Sequence, residues 1–192
     1  MMNGGVISVG GMDYHILGLL GKGKGGYSYL AQRADGSRVV VKQIHHEPCA
    51  YYQFGDKLAA ELRDYERLTA LGLPMPRLLA VDAERERLVK EYIPGPTVYE
   101  LVLADRLPAE CVEQMEGMCR RLYAAGLNID YFPTNFIPFD GVLYYVDYEC
   151  NGYQQQWDFQ HWGMKYWSRT PELLAHEKQK RQEEAAWQEI PY

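Results

Sequence analysis

The sequence predicts an α+β fold whose strands come first and whose helices come later. Short apolar segments separated by turn residues fill most of residues 1–93, and one amphipathic helical segment interrupts them. The second half carries helical periodicity, and the breaker Pro94-Gly95-Pro96 separates the two halves. We therefore expect one domain over residues 1–192, with a β-rich lobe at 1–93, a hinge at 94–97 and a reduced helical lobe at 98–192.

The strand predictions depend on segments rich in β-branched and aromatic residues. In the first half these segments cover residues 14–20, 27–33, 38–44, 78–82 and 87–93. Asp35-Gly36, between the second and third of them, has the composition of a tight hairpin turn. A further strand is expected at residues 142–146. The first lobe should therefore hold an antiparallel sheet of about five strands.

Three helices are predicted from apolar residues at helical spacing. The first covers residues 56–71, where Asp56 is placed to cap the start. Its apolar face is formed by Leu58, Leu62, Tyr65 and Leu68. A second apolar stripe spans residues 108–125. Thr170 and Pro171 open a third helix, whose polar middle should be solvated.

The composition excludes some classes of protein. The chain has a formal net charge of −6, whereas a nucleic-acid binder needs a basic face. No apolar run approaches the ~18 residues of a membrane span, and the N-terminus lacks the pattern of a signal peptide, so we expect a cytoplasmic protein without nucleic-acid or membrane partners. The cysteines show no metal-binding spacing and are expected to be free thiols: Cys49, Cys111, Cys119 and Cys150.

A glycine-rich turn is the sharpest local signal. The segment Gly21-Lys22-Gly23-Lys24-Gly25-Gly26 lies between two predicted strands. Glycines let backbone N–H groups approach phosphate oxygens where a Cβ would clash. A dinucleotide-binding site is disfavoured because a strand rather than a helix follows, and no Gly-Lys-Ser/Thr closes a Walker A motif. By itself the segment is equally compatible with a hairpin of no function.

Two charged residues follow the turn at informative places. Lys42 ends the run Val39-Val40-Val41, where it could reach the phosphates of a nucleotide held by the glycines. Glu61 lies on the first predicted helix, where it could hold the lysine ammonium in place. Read singly, each would be an ordinary surface residue.

A third group of polar residues lies in the second half. Asp130 and Asn135 fall in an irregular loop after a helix, a pair that suits a catalytic base and a magnesium ligand. Asp147 ends the predicted strand Leu143-Tyr144-Tyr145-Val146, where a second magnesium ligand is expected. Such residues are common in loops, so the order of all the motifs carries more weight than any one of them.

In that order, the chain resembles the protein-kinase-like superfamily over about residues 14–158. LGKGKGGYSYLAQ is similar to the glycine loop, VVVK to the β3 lysine strand, and AAELRDYERL to the αC helix. LVKEYIPG resembles the hinge, GLNIDYFPTN the catalytic loop, and LYYVDYE the magnesium loop. The resemblance implies a bilobal fold, with an antiparallel β lobe carrying an αC-like helix and a truncated helical lobe.

The resemblance also implies roles for single residues. Gly21, Gly23 and Gly26 would cover the phosphates of ATP, and Lys42 would bind them while paired to Glu61. The backbone from Glu91 to Ile93 would contact adenine. Asp130 would orient and deprotonate the acceptor hydroxyl, while Asn135 and Asp147 would hold Mg²⁺.

The chain departs from the family pattern in three ways. Asn128-Ile129 replaces His-Arg, so the arginine that reads a phosphorylated activation loop is missing. Asp147-Tyr148-Glu149 replaces D-F-G and is similar to choline-kinase and aminoglycoside-phosphotransferase relatives. The segment at Trp157-Asp158 resembles the aspartate that supports the catalytic loop in such enzymes, but little chain follows it, as in RIO-type and other small atypical kinases.

Three hypotheses follow from the sequence. The first is an ATP- and Mg²⁺-dependent kinase that phosphorylates protein serine or threonine. The second is a small-molecule kinase, favoured by Asp147-Tyr148-Glu149. The third is a nucleotide-binding pseudokinase or a module that needs a protein partner to complete its short second lobe, favoured by Asn128-Ile129 and opposed by the complete set of phosphate and metal ligands.

Overall fold

The strands of the first half form a six-stranded antiparallel sheet in the order β1-β2-β3-β4-β6-β5. The computed structural model describes residues 4–23, 25–47 and 56–188, with side chains up to residue 182. The chain divides into two compact units, Met1–Pro94 and Gly95–Tyr192, and the division falls within the segment where the sequence predicts a hinge. The α+β class predicted from the sequence is confirmed.

The first unit holds the sheet and one helix. The strands are β1 (Val6–Val9), β2 (Met12–Lys22), β3 (Gly26–Gln32), β4 (Arg38–Ile44), β5 (Leu78–Asp82) and β6 (Arg87–Glu91). The sequence predicts about five strands and misses β1, which is only four residues long but pairs with β2 and buries Val9 completely. The strand predicted over 87–93 ends early, at Glu91, before Pro94.

Helix α1 (Lys57–Ala70) begins and ends where the sequence predicts. The Asp56 carboxylate accepts a hydrogen bond from the Ala59 N–H at 2.9 Å, and Gly72 terminates the helix with a φ of +68°. Its apolar residues Leu58 and Leu62 pack with Ile44 and Leu88 of the sheet. The second core lies on the other face of the sheet, where Val39, Val41 and Val89 are buried with neighbours from β1 to β3.

Alternation along β4 decides where its lysine lies. Val39 and Val41 belong to one core, and Ile44 to the other. Successive side chains of a strand point to opposite faces. Lys42, two residues before Ile44, is therefore on the face that α1 covers.

The second unit contains α2 (Val98–Leu103), α3 (Ala109–Ala124), β7 (Leu127–Ile129), β8 (Phe136–Phe139), β9 (Val142–Tyr145), β10 (Cys150–Gly152) and α4 (Pro171–Gln188). Strand β7 pairs with β10 and strand β8 with β9, both antiparallel. The sequence misses α2, a six-residue helix whose start is fixed by reciprocal hydrogen bonds between Thr97 and Glu100. It also misses β8, because Pro138 gives the strand the composition of a loop.

The structure also bears on the predictions for the start of α4, for the cysteines and for membrane-spanning helices. Thr170 accepts a hydrogen bond from the Leu173 N–H, as the predicted cap of α4 should. Cys111, Cys119 and Cys150 are buried and carry thiols rather than disulfides, as the sequence predicts, whereas Cys49 lies outside the described residues. No helix in the described part of the chain is both long and apolar enough to cross a membrane.

Candidate active-site residues

The glycine-rich turn joins β2 to β3, so a strand follows the glycines as predicted. The Gly23 N–H donates to the Gly26 carbonyl at 2.9 Å and closes the turn. A Cβ on Gly26 would lie 2.4 Å from the Gln43 carbonyl oxygen, so the pairing of β3 with β4 requires glycine there. A Cβ on Gly21 would meet no described atom within 4 Å, and one on Gly23 only the Gly26 oxygen at 4.0 Å. Packing therefore explains Gly26 and leaves Gly21 and Gly23 unexplained.

Lys42 lies beside this turn. Its ammonium nitrogen is 3.8 Å from the position of a Cβ on Gly25, which is an ordinary contact distance. The site residues inferred from the sequence do not include Gly25, although its place in the glycine run was the available signal. The structure thus brings the lysine and the backbone of the turn together, while Lys24 lies outside the described residues.

Lys42 and Glu61 form a buried ion pair. The lysine Nζ is 2.7 Å from Oε2 of the glutamate, and the two side chains are only 11% and 9% exposed. Burying opposite charges costs several kcal/mol per ion in desolvation, which a close pair only partly offsets. The other oxygen, Oε1 of Glu61, is buried and has no hydrogen-bond partner within the described part of the chain. A gain in stability therefore does not explain why this pair is buried.

In the segment predicted to contact adenine, only part of the backbone is hydrogen-bonded within the sheet. The Glu91 N–H donates to the Arg77 carbonyl at 2.9 Å, and the Glu91 carboxylate binds the Arg77 guanidinium at 3.2 and 3.3 Å. Ile93 is buried, and its backbone makes no hydrogen bond within residues 4–23, 25–47 and 56–188. The backbone N–H of Glu91 is therefore occupied, whereas that of Ile93 is not used by these residues.

In the second unit, Asp130 follows the buried strand β7 directly and is exposed. Its Oδ1 accepts a hydrogen bond from the Phe132 N–H at 3.0 Å, which fixes the carboxylate beside its own loop. The Asn135 side-chain NH₂ donates to the Asp130 carbonyl at 3.4 Å, and the Val146 N–H donates to the Asn135 carbonyl at 2.9 Å. Asn135 thus connects the backbone of Asp130 to the residue that precedes Asp147.

Tyr145 shows that the acidic residues of this unit lie near one another. The ring is completely buried, and its hydroxyl donates to the Glu149 carbonyl at 2.9 Å. Burial raises the pKa of the Tyr145 phenol well above its usual value, and the negative charges of Asp147, Asp130 and Glu149 raise it further. The tyrosine has a structural role: its hydroxyl connects the end of β9 to the backbone just beyond Asp147.

Asp147 and Asn135 offer the kind of ligand that Mg²⁺ prefers. Oδ1 of Asp147 accepts from the Tyr148 N–H at 2.9 Å, which orients the carboxylate. Because the Asn135 NH₂ group faces the Asp130 carbonyl, its amide oxygen points the other way. Within the described residues, no group of three or more His, Cys, Asp or Glu side chains could hold a metal by itself. Two oxygen ligands still suit Mg²⁺, which usually takes one or two protein ligands together with phosphate oxygens and water.

In the described part of the chain, the side-chain hydrogen bonds of Asp158 go to Tyr153 and His161 and not to residues 128–135, the loop that the family resemblance assigns it to support. Asp158 caps the π-helical turn Phe159–Gly163: its Oδ1 accepts from the His161 N–H at 2.8 Å, and its Oδ2 accepts from the Tyr153 hydroxyl at 3.1 Å. Burial alone would raise the pKa of the Asp158 carboxyl, but hydrogen bonds from His161 and Tyr153 outweigh burial and lower it.

Other groups hold the loop after β7. The Trp167 indole N–H donates to the Tyr131 carbonyl at 2.8 Å. The Asn128 side chain donates to the Gln154 carbonyl at 2.9 Å. Because Asn128 is buried and hydrogen-bonded, it has a structural role in this unit.

Comparisons with known proteins add no family to this description. No protein-family model matches the chain, and no curated protein matches it in sequence. The function must therefore be inferred from the side chains of the two units.

Proposed function

We propose that the chain is an ATP- and Mg²⁺-dependent phosphotransferase with a bilobal protein-kinase-like fold, and that it transfers the γ-phosphate to a serine or threonine hydroxyl. The observation that carries the proposal is the buried Lys42–Glu61 pair at 2.7 Å, beside the glycine turn. The pair lies where an ammonium and backbone N–H groups can face the same polyanion. A purely structural pair would not need the open glycines Gly21 and Gly23.

Each unit is assigned a part of the chemistry. In the first unit, Lys42 binds phosphate oxygens, and Glu61 holds the ammonium in place. The glycine turn lets phosphate approach the backbone closely, since Gly21 and Gly23 leave room for it. In the second unit, Asn135 and Asp147 would hold Mg²⁺, which supplies positive charge to the phosphates when bound.

Asp130 is the proposed general base. Its carboxylate is exposed and oriented by the Phe132 N–H, so it can accept the proton of an incoming hydroxyl. The hydroxyl oxygen forms a bond to the γ-phosphorus while the bond from that phosphorus to the oxygen of the ADP leaving group breaks. The proton remains on Asp130 and is later released to solvent.

A small-molecule kinase is the second candidate, and Asp147-Tyr148-Glu149 favours it over a protein kinase. A pseudokinase is the third, favoured by Asn128-Ile129. An assay with ATP labelled at the γ-phosphate distinguishes the three candidates, because label enters protein, a metabolite or neither when the chain is incubated with cell extract.

The test compares two acidic residues by thermal unfolding and by phosphoryl transfer. Mg²⁺-ATP at 100 times its Kd should stabilise the chain by about 2.7 kcal/mol, or roughly 5–10 °C in Tm. Asp147→Asn should remove the magnesium-dependent part of this shift. Asp130→Ala should preserve the shift but lower transfer by about 10²–10⁴-fold, because the base contacts the hydroxyl rather than the nucleotide.

Two results would contradict the proposal. The absence of a Tm shift with any nucleotide at millimolar concentration would exclude nucleotide binding. A shift accompanied by equal transfer from the unmutated chain and Asp130→Ala, with water, the chain itself or extract as acceptor, would leave only the pseudokinase.

A further inference from the structure

The second unit contains an open groove of about 480 Å³ that the proposed chemistry does not use. Leu101 of α2, the first turns of α3 and the β8–β9 hairpin line it, together with Pro96. Its volume is within the range of about 300–1,000 Å³ that is typical of ligand sites. The groove is thus large enough to take several side chains of a partner.

The walls of the groove are fixed by tight local structure. The hairpin turns at Asp140-Gly141, where both residues have positive φ (49° and 73°), as a two-residue turn requires. Gln114 of α3 holds this hairpin, since its side chain donates to the Gly141 carbonyl at 3.1 Å and accepts from the Leu143 N–H at 2.8 Å. These hydrogen bonds hold the hairpin against α3, so the wall that the two elements form is part of the folded unit.

The chemistry of the lining is apolar with acidic groups. Three prolines, Leu101 and the 43%-exposed ring of Phe139 supply apolar surface. Glu110 and Asp140 are exposed carboxylates, and none of the ten lining residues is basic. Such a surface complements apolar side chains that lie next to lysine or arginine.

The prolines also exclude one mode of recognition. Pro138 lies within β8, and Pro96 and Pro108 line the same groove, so three of the lining residues have no backbone N–H to offer. Adding a strand to a sheet edge needs a run of such donors. Recognition here must depend on side chains instead.

We propose that this groove is a docking site for a short peptide segment of a partner protein, in which apolar side chains enter the groove and a neighbouring lysine or arginine pairs with Glu110 and Asp140. The inference goes beyond the proposed phosphotransferase and does not depend on it. Binding at the groove needs neither nucleotide nor metal, so the two proposals can fail separately.

The experiment selects ligands from a phage library of random twelve-residue peptides on the full chain, without nucleotide. Enriched peptides should carry lysine or arginine beside at least two apolar residues. Synthetic fluorescein-labelled copies, measured by fluorescence anisotropy, should bind at least tenfold more weakly to Phe139→Ala. The pair Glu110→Gln and Asp140→Asn should weaken binding about three- to tenfold at low salt, an effect that 0.5 M NaCl removes.

Glu116→Gln is the matched control, because Glu116 is an exposed acidic residue of α3 outside the groove. This variant should bind the peptides with unchanged affinity. Thermal unfolding verifies that each variant is folded, and Leu101→Ala replaces Phe139→Ala if that variant unfolds. The proposal is overturned if no peptide is enriched, if enriched peptides lack basic residues, or if the groove variants bind them unchanged. Self-association of the chain that the groove variant abolishes would assign the groove to a second copy and would also overturn it.

Discussion

Lys42 and Glu61 form a buried ion pair that costs stability and to which the proposed function gives a role. Both side chains are about nine-tenths buried, and one glutamate oxygen has no hydrogen-bond partner among the described residues. Two apolar residues of similar size would fill this space at lower cost. The presence of these two buried charges is explained if the Lys42 ammonium binds a polyanionic ligand.

Removing one member of this pair should destabilise the chain more than removing both. Lys42→Met leaves the buried Glu61 carboxylate uncompensated and should lower the free energy of unfolding by about 3 kcal/mol. Lys42→Met combined with Glu61→Leu should recover most of that loss, because no buried charge remains. Urea unfolding measures each variant.

An exposed ion pair provides the control. Arg77, 75% exposed, pairs with Glu91, and Arg77→Met should change the free energy of unfolding by less than about 1 kcal/mol. If Lys42→Met were as stable as the unmutated chain, the pair would not be the buried, coupled unit described above.

Among the secondary-structure elements, the β2–β3 hairpin contains one glycine that packing requires and others that packing does not require. Gly26 approaches the neighbouring strand so closely that a methyl group would overlap the Gln43 carbonyl. Gly21 pairs with Ser28 in the same hairpin but has open space where its side chain would be. Close packing therefore explains the glycine at position 26 but not the glycine at position 21.

Alanine substitutions should separate these reasons. Gly26→Ala should lower the free energy of unfolding by about 1–3 kcal/mol, because β3 and β4 must move apart. Gly21→Ala should leave stability unchanged or slightly higher, yet reduce the Tm shift caused by Mg²⁺-ATP, since the methyl group occupies space needed by phosphate. Thermal unfolding with and without nucleotide reads out both effects, and the opposite ranking of the two variants would argue against this division of roles.

For the chain as a whole, the proposed function requires one ligand to engage groups from both units. Hydrogen exchange should therefore slow on addition of Mg²⁺-ATP in the backbone of residues 21–26 and also in residues 130–147. The Asp147→Asn variant should lose the second effect, because its metal ligand is missing, and retain part of the first. Protection confined to one unit in the unmutated chain would be incompatible with the proposed assignment of phosphate and metal ligands.

The sequence determined the features that depend on neighbours along the chain. Helix α1 with its Asp56 cap, strand β4, strand β5 and the position of the glycine turn all follow from local periodicity, capping and turn chemistry. The sequence did not predict two of the short strands. Strand β1 is held by pairing with β2, and β8 contains a proline, which disfavours a strand prediction. These elements are stable because of their partners rather than their composition.

Tertiary structure alone decided which distant residues meet. The sequence could nominate Lys42 and Glu61 as partners, but the 2.7 Å pair exists because α1 covers the face of β4 that carries the lysine. It assigned Asp158 to the catalytic loop, whereas the folded chain gives that carboxylate to His161 and Tyr153 and supports the loop through Trp167. Spacing along a sequence defines the face on which a side chain lies, but the partner it finds there depends on how the elements pack in three dimensions.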